Sequence, residues 1–145
     1  MYAPALTSPF SSRRAVAPGL LYSGMAATTG VVGASPHRLV AMLFDGLSES
    51  LARARGAIAQ GQIAIKAQAL ARAVRIVEEG LRPALNLRDG GELASDLNEL
   101  YAYIVLRLAR ANLDNDAAAI EECQRLTEPL ASAWAAIGER HGATL

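Results

Sequence analysis

The chain has one cysteine, two histidines and no excess of charge of either sign, and each shortage removes a class of function. Cys123 alone cannot close an internal disulfide, which fits a reducing, cytoplasmic compartment. The 14 basic side chains are offset by 14 acidic ones, so no electrostatic footprint points to a nucleic-acid backbone or an anionic membrane. His37 and His141 stand at helix or domain ends, whereas an inward metal or haem set in a helical bundle needs several His, Glu or Asp ligands. Both read as solvated surface histidines, and no metal or cofactor is expected. The N-terminus lacks an apolar segment behind basic residues, and no apolar run approaches the roughly 20 residues that cross a bilayer. Neither a signal peptide nor a membrane span is expected. The most hydrophobic stretch, residues 100–109, contains Arg107 and reads as a buried helix.

Catalytic patterns are missing as well. There is no Gly-rich phosphate loop, no Ser/His/Asp set and no paired-carboxylate motif, so no enzyme is expected. Cys123 has no general base beside it and lies on an inward helical stripe, the place of a small buried hydrophobe. Asp45 reads as an ordinary surface carboxylate.

What remains is apolar material in helical order. Of the 145 residues, 52% are hydrophobic and 19% charged, enough for one domain with its own core. Residues 1–34 carry Pro4, Pro9, Pro18, Gly19, Gly24, Gly30 and Gly33, a composition that resists a continuous helix. They read as a mobile arm whose apolar groups, Tyr22, Val31 and Val32 among them, gain by docking on a groove. Order begins at Ser35, an N-cap oxygen, and Pro36, whose missing N–H costs nothing in a first helical turn. Leu39, Leu43, Leu47, Leu51, Ala54 and Ile58 then form one stripe that Gly61 ends, with Met42 and Phe44 beside it.

A second helix is expected over 62–86, with Ile65, Ala69, Ala73, Ile76, Val77, Gly80, Leu81 and Ala84 inward. Arg75 with Glu79, and Glu78 with Arg82, are spaced as ion pairs on its wet face. Pro83 should kink or shorten its last turn. A third helix, 92–112, places Leu93, Leu97, Leu100, Tyr101, Ile104, Leu108 and Ala111 on one stripe while Tyr103, Val105 and Leu106 occupy other sides. Such a helix either packs on a neighbour's flank or faces a partner, and periodicity leaves both open. The Asn- and Asp-rich turn 112–116 caps a fourth helix carrying Ile120, Cys123, Leu126, Leu130, Trp134 and Ile137, with a kink expected near Thr127 from Pro129. Short connections make neighbours antiparallel. The expected fold is all-α: an antiparallel four-helix bundle over 35–140, preceded by the arm and followed by a tail, 141–145.

The order Tyr22, Ala34-Ser35-Pro36, Leu39 to Gly46, Leu87 to Ala94, Leu100 to Tyr103, Arg107-Leu108, Ala111-Asn112 and Asn115-Asp116 resembles the FliS family of flagellin export chaperones, from about Tyr22 to Ile137. The resemblance implies a cytoplasmic bundle that binds the C-terminal segment of flagellin, prevents premature polymerisation and delivers the subunit to the flagellar type III export gate. It implies a client groove, placed here at Met42, Phe44, Leu47, Ile76, Leu81, Leu85, Leu100, Tyr103 and Leu106, with Tyr22, Val31 and Val32 in a capping arm. Other flagellar regulators are further candidate partners, and the chain is expected to be a monomer or weak homodimer. Two departures from the family pattern stand out: the arm is longer and richer in Pro and Gly, and Phe44 stands where a tyrosine is common. The rivals from other classes are a histidine phosphotransfer bundle, disfavoured because His37 lies in a first helical turn, and an adaptor for a different secreted helical client.

Overall fold

The computed structural model describes residues 35–144, with side chains through residue 138. Among these residues four helical rods form the fold and no strand occurs. The first, α1 (Pro36–Ala59), starts as its sequence dictates: the Ser35 hydroxyl accepts from the Arg38 N–H at 3.1 Å and Pro36 occupies the first turn. It stops because Gly61 takes φ +69°. There the Gln62 N–H reaches the Ala57 carbonyl and the Gly61 N–H that of Ile58, a left-handed cap that satisfies two otherwise orphaned acceptors.

The second rod, α2 (Ile63–Arg75), runs on without a break through a π-helical turn, Ile76–Leu81, and a last α turn, Arg82–Ala84. Pro83 thus falls in the final turn, and Leu85 leaves it in an extended conformation. In the loop the Asn86 side chain accepts from the N–H groups of Arg88 and Asp89, a local turn device for which Asn is suited. α3 (Gly91–Asp114) ends on Asn115 at φ 52°, and α4 (Ala117–Thr144) begins where Asp116 Oδ1 accepts from Ala118 and Ala119. Inside α4 the Thr127 hydroxyl bonds back to the Cys123 carbonyl at 3.0 Å, two residues before Pro129.

α1 packs on α2 and α4, and α3 packs on the same two, so the rods form a square with α1 diagonal to α3. The centre is filled by Val40, Leu47, Leu51, Leu70, Val77, Leu81, Tyr101, Ile104, Leu108, Ile120 and Cys123, all essentially inaccessible to solvent. Cys123 is therefore a core residue, and burial pushes its thiol up to about 11.

The stripes differ in detail from the sequence pattern. Phe44, expected beside the stripe of α1, is buried, while Leu43 is half-buried with its methyls against Gly80. The reason lies in that contact: a Cβ on Gly80 would stand 2.9 Å from Leu43 Cδ2, so the glycine lets the two rods approach there. Leu93, assigned to the inner stripe of α3, is exposed, and its neighbour Ala94 in the same first turn takes the fully buried place instead. Of the two expected ion pairs on α2, Glu78 and Arg82 meet at 2.6 Å. Arg75 instead lines the cleft toward α1 and makes no ion pair with Glu79.

His37 is likewise no solvated surface group. Its ring stacks on Trp134 with centroids 4.6 Å apart and planes 9° from parallel. His37 Nε2 lies 2.7 Å from the Trp134 carbonyl, which only accepts, so that nitrogen carries the proton; Trp134 Nε1–H donates in turn to the His37 carbonyl at 2.9 Å. These contacts fasten the start of α1 to α4 a little short of two-thirds of the way along it. The side chain of His141 lies outside the described residues.

Candidate partner-binding surfaces

A core this complete leaves few large apolar groups outside, and those few define the surfaces on which a partner gains most. Of the nine groove residues drawn from the sequence, the structure puts Phe44, Leu47, Leu81 and Leu85 in the core, where they support the rods and present almost no surface. Ile76 and Leu100 are half-buried. Met42, Tyr103 and Leu106 are exposed, at 45%, 41% and 69%. Tyr22, Val31 and Val32 lie outside the described residues.

The accessible members are spread over three rods. Met42 and Ile76 belong to the face where α1 meets α2. Gly46 makes that meeting close: a Cβ there would lie 3.2 Å from Ile76 Cδ1 and 3.2 Å from an Arg72 guanidinium nitrogen. Tyr103 and Leu106 project from α3, the rod diagonal to α1. The spacing rule that grouped these residues reads one helix at a time, and the angle between helices decides whether two outward residues meet.

The α3 face extends beyond the two expected residues. Ala102, Leu106, Ala109 and Leu113 are all exposed and succeed one another at intervals of four, three and four residues, a continuous stripe on a helix. Leu113, 78% exposed, was not among the sequence candidates. The same interval rule that finds core stripes would have found it as a second, outward one.

At the edge of that stripe Tyr103 is held in place. Its hydroxyl donates to Glu122 Oε2 at 2.6 Å, and Arg107 Nε donates to Glu122 Oε1 at 2.7 Å. The bond to Glu122 raises the Tyr103 hydroxyl above its ordinary value, and the bonds from Tyr103 and then Arg107 lower the Glu122 carboxyl below its own. The bond to Glu122 raises Arg107 in the same way. At neutral pH the trio is a neutral phenol, a carboxylate and a guanidinium, and the ring is oriented before any partner arrives.

One further polar device was not legible in the sequence. Lys66 on α2 is buried, and its ammonium donates to the Asn112 carbonyl at 2.8 Å and to the Asn115 side-chain oxygen. A cation thus closes the C-terminal end of α3, where the last carbonyls have no helical partner. Among the residues with described side chains no group of three or more His, Cys, Asp or Glu is placed to hold a metal. No helix of the described residues is long and apolar enough to cross a membrane.

The family model described as "Flagellar protein FliS" matches residues 21–141. The chain is 44% identical over 119 residues to a flagellar secretion chaperone FliS of Salmonella typhimurium, covering 82% of this chain and 88% of that one. It is 40% identical over 113 residues to a flagellar secretion chaperone FliSB of Pseudomonas aeruginosa, covering 78% and 89% of the two chains. With a flagellar secretion chaperone FliS of Escherichia coli it shares 39% over 113 residues, covering 78% and 83%.

Proposed function

The chain belongs to the FliS family of flagellar secretion chaperones, and from that premise we propose that it binds the C-terminal segment of flagellin in the cytoplasm. Binding there keeps the subunit from polymerising early and presents it to the flagellar type III export apparatus. The observation that supports this reading is the set of large apolar groups exposed among the described residues: Met42 on α1, with half-buried Ile76 across the α1/α2 face, and Tyr103, Leu106 and Leu113 along α3, besides Ile63, Leu87 and Leu93 at the rod ends.

A disordered segment that folds into amphipathic helices on binding suits such surfaces, because each apolar stripe it forms needs a complementary face. Since Met42 and Leu106 stand on diagonal rods, one short helix does not cover both. The client segment is long enough in this reading to wrap the bundle, with one stretch on the α1/α2 face and another on α3. Coupled folding and binding of this kind covers on the order of 1,000–3,000 Å², and part of the gain is consumed in ordering the client. The complex is then firm in the cytoplasm and still releasable at export. In this reading the arm bearing Tyr22, Val31 and Val32 covers part of the same surface when no client is bound, which shields apolar groups from self-association.

The phosphotransfer alternative loses its acceptor, since His37 Nε2 is engaged by the Trp134 carbonyl and the ring is stacked. The reading is tested by mixing the full chain with the isolated C-terminal segment of flagellin from the same organism. A co-eluting complex with more helix, by far-ultraviolet circular dichroism, than the sum of the parts is expected. Separate elution with additive spectra overturns it.

A further inference from the structure

The α1/α2 face has a second end, chemically unlike the apolar one at Met42. A cleft of about 390 Å³ opens there, with Ser50 and Arg53 on α1 and Gln68, Arg72 and Arg75 on α2 among its lining. Arg72 forms its fixed side: Nη1 donates to Glu49 Oε1 at 2.9 Å and to Ser50 Oγ at 3.0 Å. Arg53 and Arg75 have no carboxylate within ion-pair distance among the described residues, and Glu79, one turn beyond Arg75, does not reach it. Three guanidinium groups therefore stand against the single carboxylate of Glu49, although the chain as a whole is neutral.

We propose that this cleft docks an acidic stretch of a protein partner, whose carboxylates pair with Arg53 and Arg75 while Arg72 keeps the wall between them rigid. The concavity is what turns surface charge into a site: two unpaired forks converge on one cleft, where a carboxylate accepts two parallel N–H bonds from each. The polar Ser50 and Gln68 give such a segment further hydrogen-bonding groups. The neighbouring chemistry sets what lies next to the acids. Met42 is exposed on the same flank of α1, 11 residues before Arg53, or about 16 Å along the helix at 1.5 Å per residue. A partner segment with an apolar residue about three turns from an acidic pair spans both ends. A nucleic acid fits less well, because the cleft lining has no aromatic ring for base stacking and only three arginines to follow a backbone.

The test uses the full chain and a fluorescein-labelled helical peptide with one Leu and, three turns away, Glu residues at i, i+3 and i+4. Anisotropy is read at low and high salt, beside the same peptide with Gln for Glu and an oligothymidylate of equal charge. The Glu peptide should bind about tenfold or more tighter than the Gln peptide and the oligonucleotide, and weaken as salt rises. The double variant R53E/R75E should lose at least that factor, and the neutral R53Q/R75Q, which spares the fold any new charge, most of it. The control R88E/R110E, which changes net charge equally on the α2–α3 loop and α3, should leave binding within about twofold. Equal binding of Glu and Gln peptides, an equal loss in the control, or an oligonucleotide that matches the Glu peptide overturns the proposal.

Discussion

Replacing Gly138 with alanine should loosen the end of the bundle at which α1 begins, against the usual effect of that substitution. Inside a helix Gly→Ala ordinarily stabilises by up to about 1 kcal/mol. Here the added Cβ would stand 2.1 Å from His37 Cε1 and 2.6 Å from His37 Nε2. The imidazole has to leave, which forfeits its bond to the Trp134 carbonyl and its stack on the indole, about 1 kcal/mol each. The bond from Trp134 Nε1 to the His37 carbonyl is strained by the same movement and adds up to about 1 kcal/mol more. Set against the helical gain, the net expectation for Gly138→Ala is a loss of about 1–2 kcal/mol in urea unfolding, followed by circular dichroism. Trp134, the only tryptophan, reports the local change through its fluorescence. The decisive comparison is made in a His37→Ala background: with the ring gone there is nothing to collide with, and Gly138→Ala should become neutral or stabilising. If Gly138→Ala stabilises the wild-type chain, or costs the same in both backgrounds, the clash is not what the glycine avoids.

Further expectations follow from single contacts. Lys66→Met leaves the Asn112 carbonyl and the Asn115 side chain without their buried donor and should cost about 1–3 kcal/mol in the same unfolding assay; a change under about 0.5 kcal/mol would mean that water replaces the ammonium. Ile104→Asp buries an unpaired carboxylate at a fully covered position and should abolish the helical signal at 25 °C, whereas Tyr103→Asp, next to it and exposed, should keep that signal intact. Because the carboxyl of Glu122 is lowered by its folded-state partners, its contribution is fully present above the ordinary carboxylate range and is lost as pH falls through the lowered value. Glu122→Gln should therefore flatten the fall in unfolding midpoint between about pH 5 and 3, modestly, since the site is exposed; an unchanged slope argues against the trio.

How far the sequence carried these results differs from element to element. The four rods were legible because Ser35-Pro36, Gly61, Asn86 and Asp116 are local devices, each acting within its own turn. The outward face of α3 was half legible: Tyr103 and Leu106 lie off the inner stripe, yet only the packed bundle shows that no neighbour's flank covers them. The single groove drawn from nine residues was not recoverable. Whether Met42 and Leu106 share a surface depends on α1 standing diagonal to α3, a tertiary relation that no periodicity encodes. The same limit explains His37 and Lys66, whose partners are 97 and 46 residues away along the chain. Composition assigned His37 to a surface role and singled out nothing at Lys66. Phe44 was misplaced for a smaller reason, since a glycine contact between Leu43 and Gly80 sets how α1 is seated.

The central claim, that the apolar groups left outside the core hold the flagellin C-terminal segment, is tested most directly by titrating that segment calorimetrically into the full chain and into Met42→Asp and Leu106→Asp variants. Tight binding to the wild type is expected, with each variant weakened tenfold or more, about 1.4 kcal/mol, while both keep wild-type helicity. Undiminished affinity in both folded variants would contradict the account.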